Sequence, residues 1–353
     1  MEDHDKNFEK RIIWVVIITL FFLGIGNHKV AAQTKGEMEK FYKGATLNLL
    51  VPRATGGILD IWGRVLAPLM EKHTGAKVLV GNMPGAGNLV GGSNLYSMVK
   101  PDGLNIAISQ MFGMIMGEML DYEEVKYELD KFTYVGRLGV TLRCCVASRA
   151  SGYKSIADMQ KASKVVRFGG VDPISQSTIE AAIISEAAGL NAKIVTGYKG
   201  NKEHILATVA GRELDADCTG AADFSEYIDR NEVTLITSID NKRNPARPET
   251  PTVLEIPGLK PEGKKLLELL IHIQQGGYMI IAPPALPENK RLYLEKALLQ
   301  ALKEPAALEF SKKINFVMAP LPGKDCKELI LKLAEILPKA ERPKLKEILT
   351  KRL

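Results

Sequence analysis

The segment Arg53-Ala54-Thr55-Gly56-Gly57-Ile58-Leu59-Asp60 carries the residue types best suited to chemistry. It follows a strand-like apolar run, Thr46–Val51, cut by Pro52, and it precedes a helical pattern. A glycine turn between a strand and a helix leaves several backbone N–H groups free beside the positive helix end. Such a turn suits an anion, for example a carboxylate, and glycine allows close approach to the backbone. Asp60 reads in two ways, as a ligand contact or as the N-cap of the following helix. Other chemistries lack their parts. The histidines (His4, His28, His73, His204, His272) lie far apart, and no HExxH or paired-cysteine zinc spacing occurs. No G-x-S-x-G elbow occurs. Gly258–Lys265 nearly matches a phosphate loop, but Lys265 stands where Ser or Thr must hold magnesium. Gly85-Ala86-Gly87-Asn88-Leu89-Val90 lacks the third glycine of a dinucleotide fingerprint. These residues point to binding without turnover, with no catalytic group, metal or cofactor.

The surrounding elements must hold that turn. Trp62, Val65, Leu66, Leu69 and Met70 recur at helical spacing, with Pro68 predicting a kink or a later start. Val78–Val80 is a second strand, running into Asn82-Met83-Pro84-Gly85-Ala86-Gly87-Asn88 and a helical stretch to about Val99. Pro101-Asp102-Gly103 is a turn before a third strand, Leu104–Ser109. The middle repeats the theme. Val165–Phe168, Lys193–Val195, Glu213–Cys218 and Val233–Ser238 read as strands, and Ser175–Ala188 as a helix. Asn244–Pro257, rich in Pro and polar residues, reads as a connection between domains, and the tail as two amphipathic helices. Strand, glycine turn and helix in repetition describe an α/β fold with a parallel sheet and crossover helices.

The chain has 353 residues, with 46% hydrophobic and 25% charged, the balance of a folded protein with room for two domains. Its net charge of +6 is too mild and scattered to argue for nucleic acid. One long apolar run exists, the 14 residues Ile12–Ile25, preceded by Lys10-Arg11 and followed by Val30-Ala31-Ala32. This is the pattern of a secretory signal spanning Met1 to Ala32, with an uncleaved membrane anchor as the rival reading. Export would let Cys144, Cys145, Cys218 and Cys326 oxidise; buried thiols are the other reading. Adjacent Cys144 and Cys145 on a strand would point to opposite faces.

Four segments, in order, resemble one family. Val51–Asp60 is similar to its first loop, and Gly81-Asn82-Met83-Pro84-Gly85-Ala86-Gly87 with Lys100-Pro101-Asp102-Gly103 to its second motif. Tyr198-Lys199-Gly200 and Arg247-Pro248-Glu249-Thr250-Pro251-Thr252-Val253 are similar to the third and fourth. Together they resemble the extracytoplasmic solute receptors of the tripartite tricarboxylate transporter family, the TctC or Bug type. The resemblance runs from about Tyr42 to the C-terminus.

It implies a two-lobed, Venus-flytrap periplasmic-binding-protein fold of type II, each lobe a mainly parallel sheet flanked by helices. Residues 42–137 and 250–353 would form lobe one and 138–249 lobe two. A small carboxylate would sit between them, held by backbone amides and small hydroxyls. Carried over by position, the ligand contacts would be Ala54, Thr55, Gly57 and Asp60, then Ser109 and Gln110. Gly170 and Ser175 would follow from the loop Gly169–Ser177, and Tyr198 and Thr219 would line the wall. Arg53 stands where the family usually has an apolar residue. It reads either as a direct ligand contact or as an ion pair, and as the only basic residue near the ligand. The expected role is a periplasmic receptor, a monomer, that passes its acid to membrane permease subunits. The alternative is a free or anchored sensory receptor that signals occupancy to a partner.

Overall fold

Leu47, Leu49 and Val51 are buried on one face of strand β1, Thr46–Val51, while Thr46 and Asn48 are exposed. That alternation sets one apolar face of the strand against a helix. The helix is Ile58–Thr74, with Trp62, Leu66 and Met70 facing inward. It runs unbroken through Pro68, so the later start expected from that proline does not occur. The computed structural model describes residues 36–353, and the expected export signal, Met1–Ala32, lies outside them.

The first sheet adds β2 (Lys77–Asn82), β3 (Asn105–Gln110), β4 (Thr133–Thr141), β10 (Tyr278–Ala282) and β11 (Phe316–Pro322), in the order β11-β4-β10-β3-β1-β2. The second contains β5 (Arg143–Ser148), β6 (Val166–Gly169), β7 (Ala192–Val195), β8 (Ala216–Gly220) and β9 (Val233–Ser238), in the order β7-β6-β8-β5-β9. The sheets are mixed, not mainly parallel. β1 pairs parallel with β2 and β3, and β6 with β7 and β8, as the crossover pattern predicts. β5 and β10 pair antiparallel with all their neighbours. The reason is where they begin. The chain passes from the first sheet to the second between Thr141 and Arg143 and returns through Tyr278. Arg143 therefore starts opposite Gly220, the last residue of β8, and Tyr278 starts opposite Gln110, the last residue of β3. A strand arriving from the other lobe begins where the resident strands end.

This arrangement brings strand C-terminal ends from both sheets to the crossing, the place where open α/β sheets bind ligands. The core reaches it as well. One apolar cluster runs from Phe112, Ile115 and Met279 through Ile179 and Ile183 to Phe168 and Leu270 and so joins the two sheets, while Leu47, Val51, Trp62 and Leu66 belong to a separate cluster on the first sheet. Helix Gln176–Ala187 packs against helix Pro261–Gln274 and against helix Arg342–Lys351. The chain end is tied down there too. Ile194 N donates to the Arg352 carbonyl at 2.8 Å, and Arg352 pairs with Glu186 at 2.7 Å. The tail has four helices where two were expected: Glu288–Ala301, Pro305–Lys313, Gly323–Ala334 and Arg342–Lys351. Cys145 and Cys218, directly opposite on β5 and β8, form a disulfide, while Cys144 and Cys326 are buried thiols. Among the described residues, no helix is long and apolar enough to cross a membrane.

Candidate functional site

The first loop is built as the turn pattern requires. Gly56 sits at φ +82°, a conformation that favours glycine, and Ala54, Thr55 and Gly57 are exposed. The helix N-cap is Gly57, not Asp60. Asp60 lies in the first turn and is 2% exposed, and its carboxylate is fully engaged. Oδ2 accepts from Gly56 N at 2.8 Å and from Arg64 Nε at 3.1 Å, and Oδ1 accepts from Asn82 Nδ2 at 3.0 Å. Burial pushes the Asp60 carboxyl up, but the bonds from Arg64, Gly56 and Asn82 outweigh it and hold the group below its usual range. Asp60 thus braces the loop from behind. Asn82, the last residue of β2, also donates to the Arg53 carbonyl at 3.0 Å, which fixes where the Arg53 side chain leaves the backbone.

That side chain is half-buried at the junction of the sheets, and burial lowers its pKa from the usual range. Arg53 Nη2 donates to Gln110 Oε1 at 3.4 Å. Gln110 Nε2 donates to Gln176 Oε1 at 2.5 Å, across the gap between the lobes. Gln176 Nε2 donates to Glu180 Oε1 at 2.7 Å, and Gln274 Nε2 reaches the same oxygen at 3.2 Å. Glu180 then holds Arg143, whose Nε lies 2.8 Å and 3.1 Å from the two carboxylate oxygens and whose Nη2 bonds Oε2. Glu180 is 0% exposed and Arg143 8%. Burial disfavours the Arg143 charge, yet the Glu180 carboxylate more than offsets this and holds the guanidinium above its usual range. One hydrogen-bonded chain thus joins two arginines, one from each side of the junction.

A small pocket lies along that chain, lined by Gln110, Phe112, Thr141, Arg143, Gln176, Gln274, Gly277 and Tyr278. Its free volume is about 10 Å³, the room of one water. The Gln110–Gln176 bond closes the gap on one side. On another, Gly87 of the first lobe lies against Ile174 of the second, where a Cβ would stand 3.3 Å from the Ile174 carbonyl oxygen.

The other expected contacts are scattered around this centre. Ser109 is 1% exposed and turns its hydroxyl to Met114 Sδ at 3.0 Å. Gly170 is buried just after β6, where a Cβ would collide with Thr178 Oγ1. Ser175 caps helix Gln176–Ala187 by position, with its hydroxyl tied to the Asp172 carbonyl at 3.0 Å and to Thr178 Oγ1 at 2.9 Å. Tyr198 donates to Glu213 at 3.2 Å, and burial followed by Glu213 pushes its phenol up to about 12. Thr219 is 0% exposed and donates to Asp223 at 3.2 Å. Of the expected residues, Arg53 and Gln110 join the central chain.

Arg143 is a second basic residue at the junction of the sheets, beside Arg53. Gln176, Glu180, Gln274 and Tyr278 were also missed. A signal for Glu180 exists, since it is the lone acid in the apolar stretch Thr178–Ile184 and a buried helix carboxylate demands a partner.

Comparison with known proteins fits this geometry. The sequence profile of the tripartite tricarboxylate transporter family receptor matches residues 63–336. The chain belongs to that receptor family. It is therefore a solute-binding protein and not an enzyme. A UPF0065 protein of Agrobacterium vitis is 28% identical over 273 residues, covering 76% of this chain and 74% of that protein. Among solved structures, MatC from Rhodopseudomonas palustris, with bound malate, has a TM-score of 0.67 at 19% identity, covering 86% of this chain and 99% of that one. Rpa4515 of R. palustris, with adipate, has a TM-score of 0.69 at 16% identity, covering 87% and 97%. At these identities the structural likeness establishes the shared two-lobed fold.

Proposed function

We propose that this receptor is exported to the periplasm, captures a small organic carboxylate between its lobes and delivers it to the permease of a tripartite tricarboxylate-type transporter. The observation that carries this reading is the pair of guanidinium groups, Arg53 and Arg143, at opposite ends of one hydrogen-bonded chain along the interlobe pocket. Guanidinium groups recognise carboxylates through paired N–H donors, and partial burial strengthens that attraction. The exposed turn Ala54–Gly57 adds backbone N–H groups at a helix start. On the far side, Ser175 and Gly170 belong to the loop that closes over the ligand, and Tyr198 and Thr219 to the outer wall. Asp60 positions the first loop without touching ligand. Malate and adipate are bound by structural neighbours, which supports the same ligand class here. The signal Met1–Ala32 and the family's transporter partners support export and delivery.

A thermal-shift screen over mono-, di- and tricarboxylates tests the reading. At a ligand concentration of about 100 Kd, the expected stabilisation is about 2.7 kcal/mol. If only cations or neutral sugars stabilise the protein, the reading fails.

A further inference from the structure

Each guanidinium at the lobe junction already has an acid beside it before any ligand arrives. Arg143 spends Nε and Nη2 on Glu180, and its Nη1 makes no hydrogen bond to a described residue. Arg53 makes a single side-chain bond, to Gln110, and feels the charge of Asp172. Two guanidinium groups therefore face Glu180 and Asp172, and Asp223 adds a further acid close to Arg143. The Glu180 carboxylate is itself seated like a bound ligand, with Arg143, Gln176 and Gln274 all donating to it. A ligand cannot take that seat without leaving a buried Glu180 unpaired, a costly outcome.

We propose that Arg143, fixed by Glu180, determines the specificity of the cleft, and that the site takes a small monocarboxylate. The single carboxylate of the ligand lies between the open Nη1 of Arg143 and the loosely held guanidinium of Arg53. A second carboxylate meets Glu180, Asp172 and Asp223, with no third guanidinium among the groups described at the junction to receive it. This rests on the reading of the protein as a carboxylate receptor and narrows its ligand class. Glu180 here acts through repulsion, a standard route to discrimination between close relatives.

Calorimetric titration of the full chain with two matched pairs, butyrate against succinate and hexanoate against adipate, tests this. The wild type should bind the monoacid of at least one pair about tenfold or more tighter than its diacid, and Glu180→Gln should shrink that ratio to within about threefold. The double variant Arg143→Gln with Glu180→Gln removes both charges together while keeping a polar side chain at each position. It should unfold as a cooperative unit yet bind the monoacid about tenfold more weakly. A purely structural Arg143–Glu180 pair would leave the affinity of the folded double variant and the monoacid-to-diacid ratio unmoved, and either result overturns the proposal. Tighter diacid binding by the wild type also overturns it, while the receptor reading stands. Failure of the wild type to bind any carboxylate overturns both.

Discussion

Arg53 and Arg143 are the same side chain in two settings. Arg53 leaves the end of β1, beside an exposed turn, and its guanidinium is held by one bond of 3.4 Å. Arg143 opens β5 at the hinge, and Glu180 grips it along the Nε–Nη2 edge. The first must still be ordered when ligand binds, and long side chains lose up to about 2 kcal/mol of rotamer entropy when fixed. The second has lost that freedom during folding. The contrast teaches a division of labour. On the proposed reading, the preset group on one lobe defines where a carboxylate sits, and the loosely held group on the other follows it.

If that division holds, the two sides respond very differently to truncation. Glu180→Ala should be the most damaging change, because it strands a buried guanidinium; the expected loss is about 3–5 kcal/mol in urea unfolding. Arg53→Ala should cost about 0.5 kcal/mol, the scale of a loosely bonded side chain away from the core. Equal losses would erase the contrast. Asp60→Ala comes next on the first-lobe side. It releases Gly56, Arg64 and Asn82 together, and a buried charged acceptor of this kind is worth about 2 kcal/mol. Ligand affinity then falls only as far as the loop loses its shape. Arg53→Gln should weaken carboxylate binding by about tenfold, or about 1.4 kcal/mol, with the unfolding midpoint unchanged. Unchanged affinity in that variant would move the ligand away from Arg53.

The sequence made the first side legible and left the second hidden, for physical reasons. The turn Arg53–Asp60 is local. Its strand, glycines and helix lie within one stretch, so periodicity and backbone needs locate it. The brace on Asp60 is not legible locally because its partner Asn82 arrives on β2, and no local pattern reveals a bond 22 residues away. Arg143 and Glu180 are 37 residues apart and meet only because β5 enters at the hinge beside helix Gln176–Ala187. Strand direction posed the same difficulty. The parallel pairs follow from strand–helix alternation, whereas the antiparallel pairing of β5 and β10 follows from where the chain crosses between lobes.

The smallest expected effect separates the lobes by pH. Asp60 on the first lobe and Asp223 on the second are both carboxyls shifted by their surroundings, but in opposite directions. Burial pushes Asp60 up, and its bonds from Arg64, Gly56 and Asn82 overcome this to leave it below its ordinary value of 3.8. Burial also pushes Asp223 up, and Arg143 with the Thr219 hydroxyl offsets only part of it, so it stays above 3.8. For Asp60 the unfolded chain holds more protons between the two pKa values, so its contribution to stability is complete above 3.8 and is lost as pH falls through the folded value. For Asp223 the folded chain holds more protons, so stability declines as pH rises from 3.8 through its folded value. Urea midpoints measured from pH 2.5 to 7 should therefore flatten on the acid side in Asp60→Asn and on the neutral side in Asp223→Asn. Were both variants to flatten the same limb, the two carboxyls would share one environment, and the difference between a braced loop and a buried cleft wall would vanish.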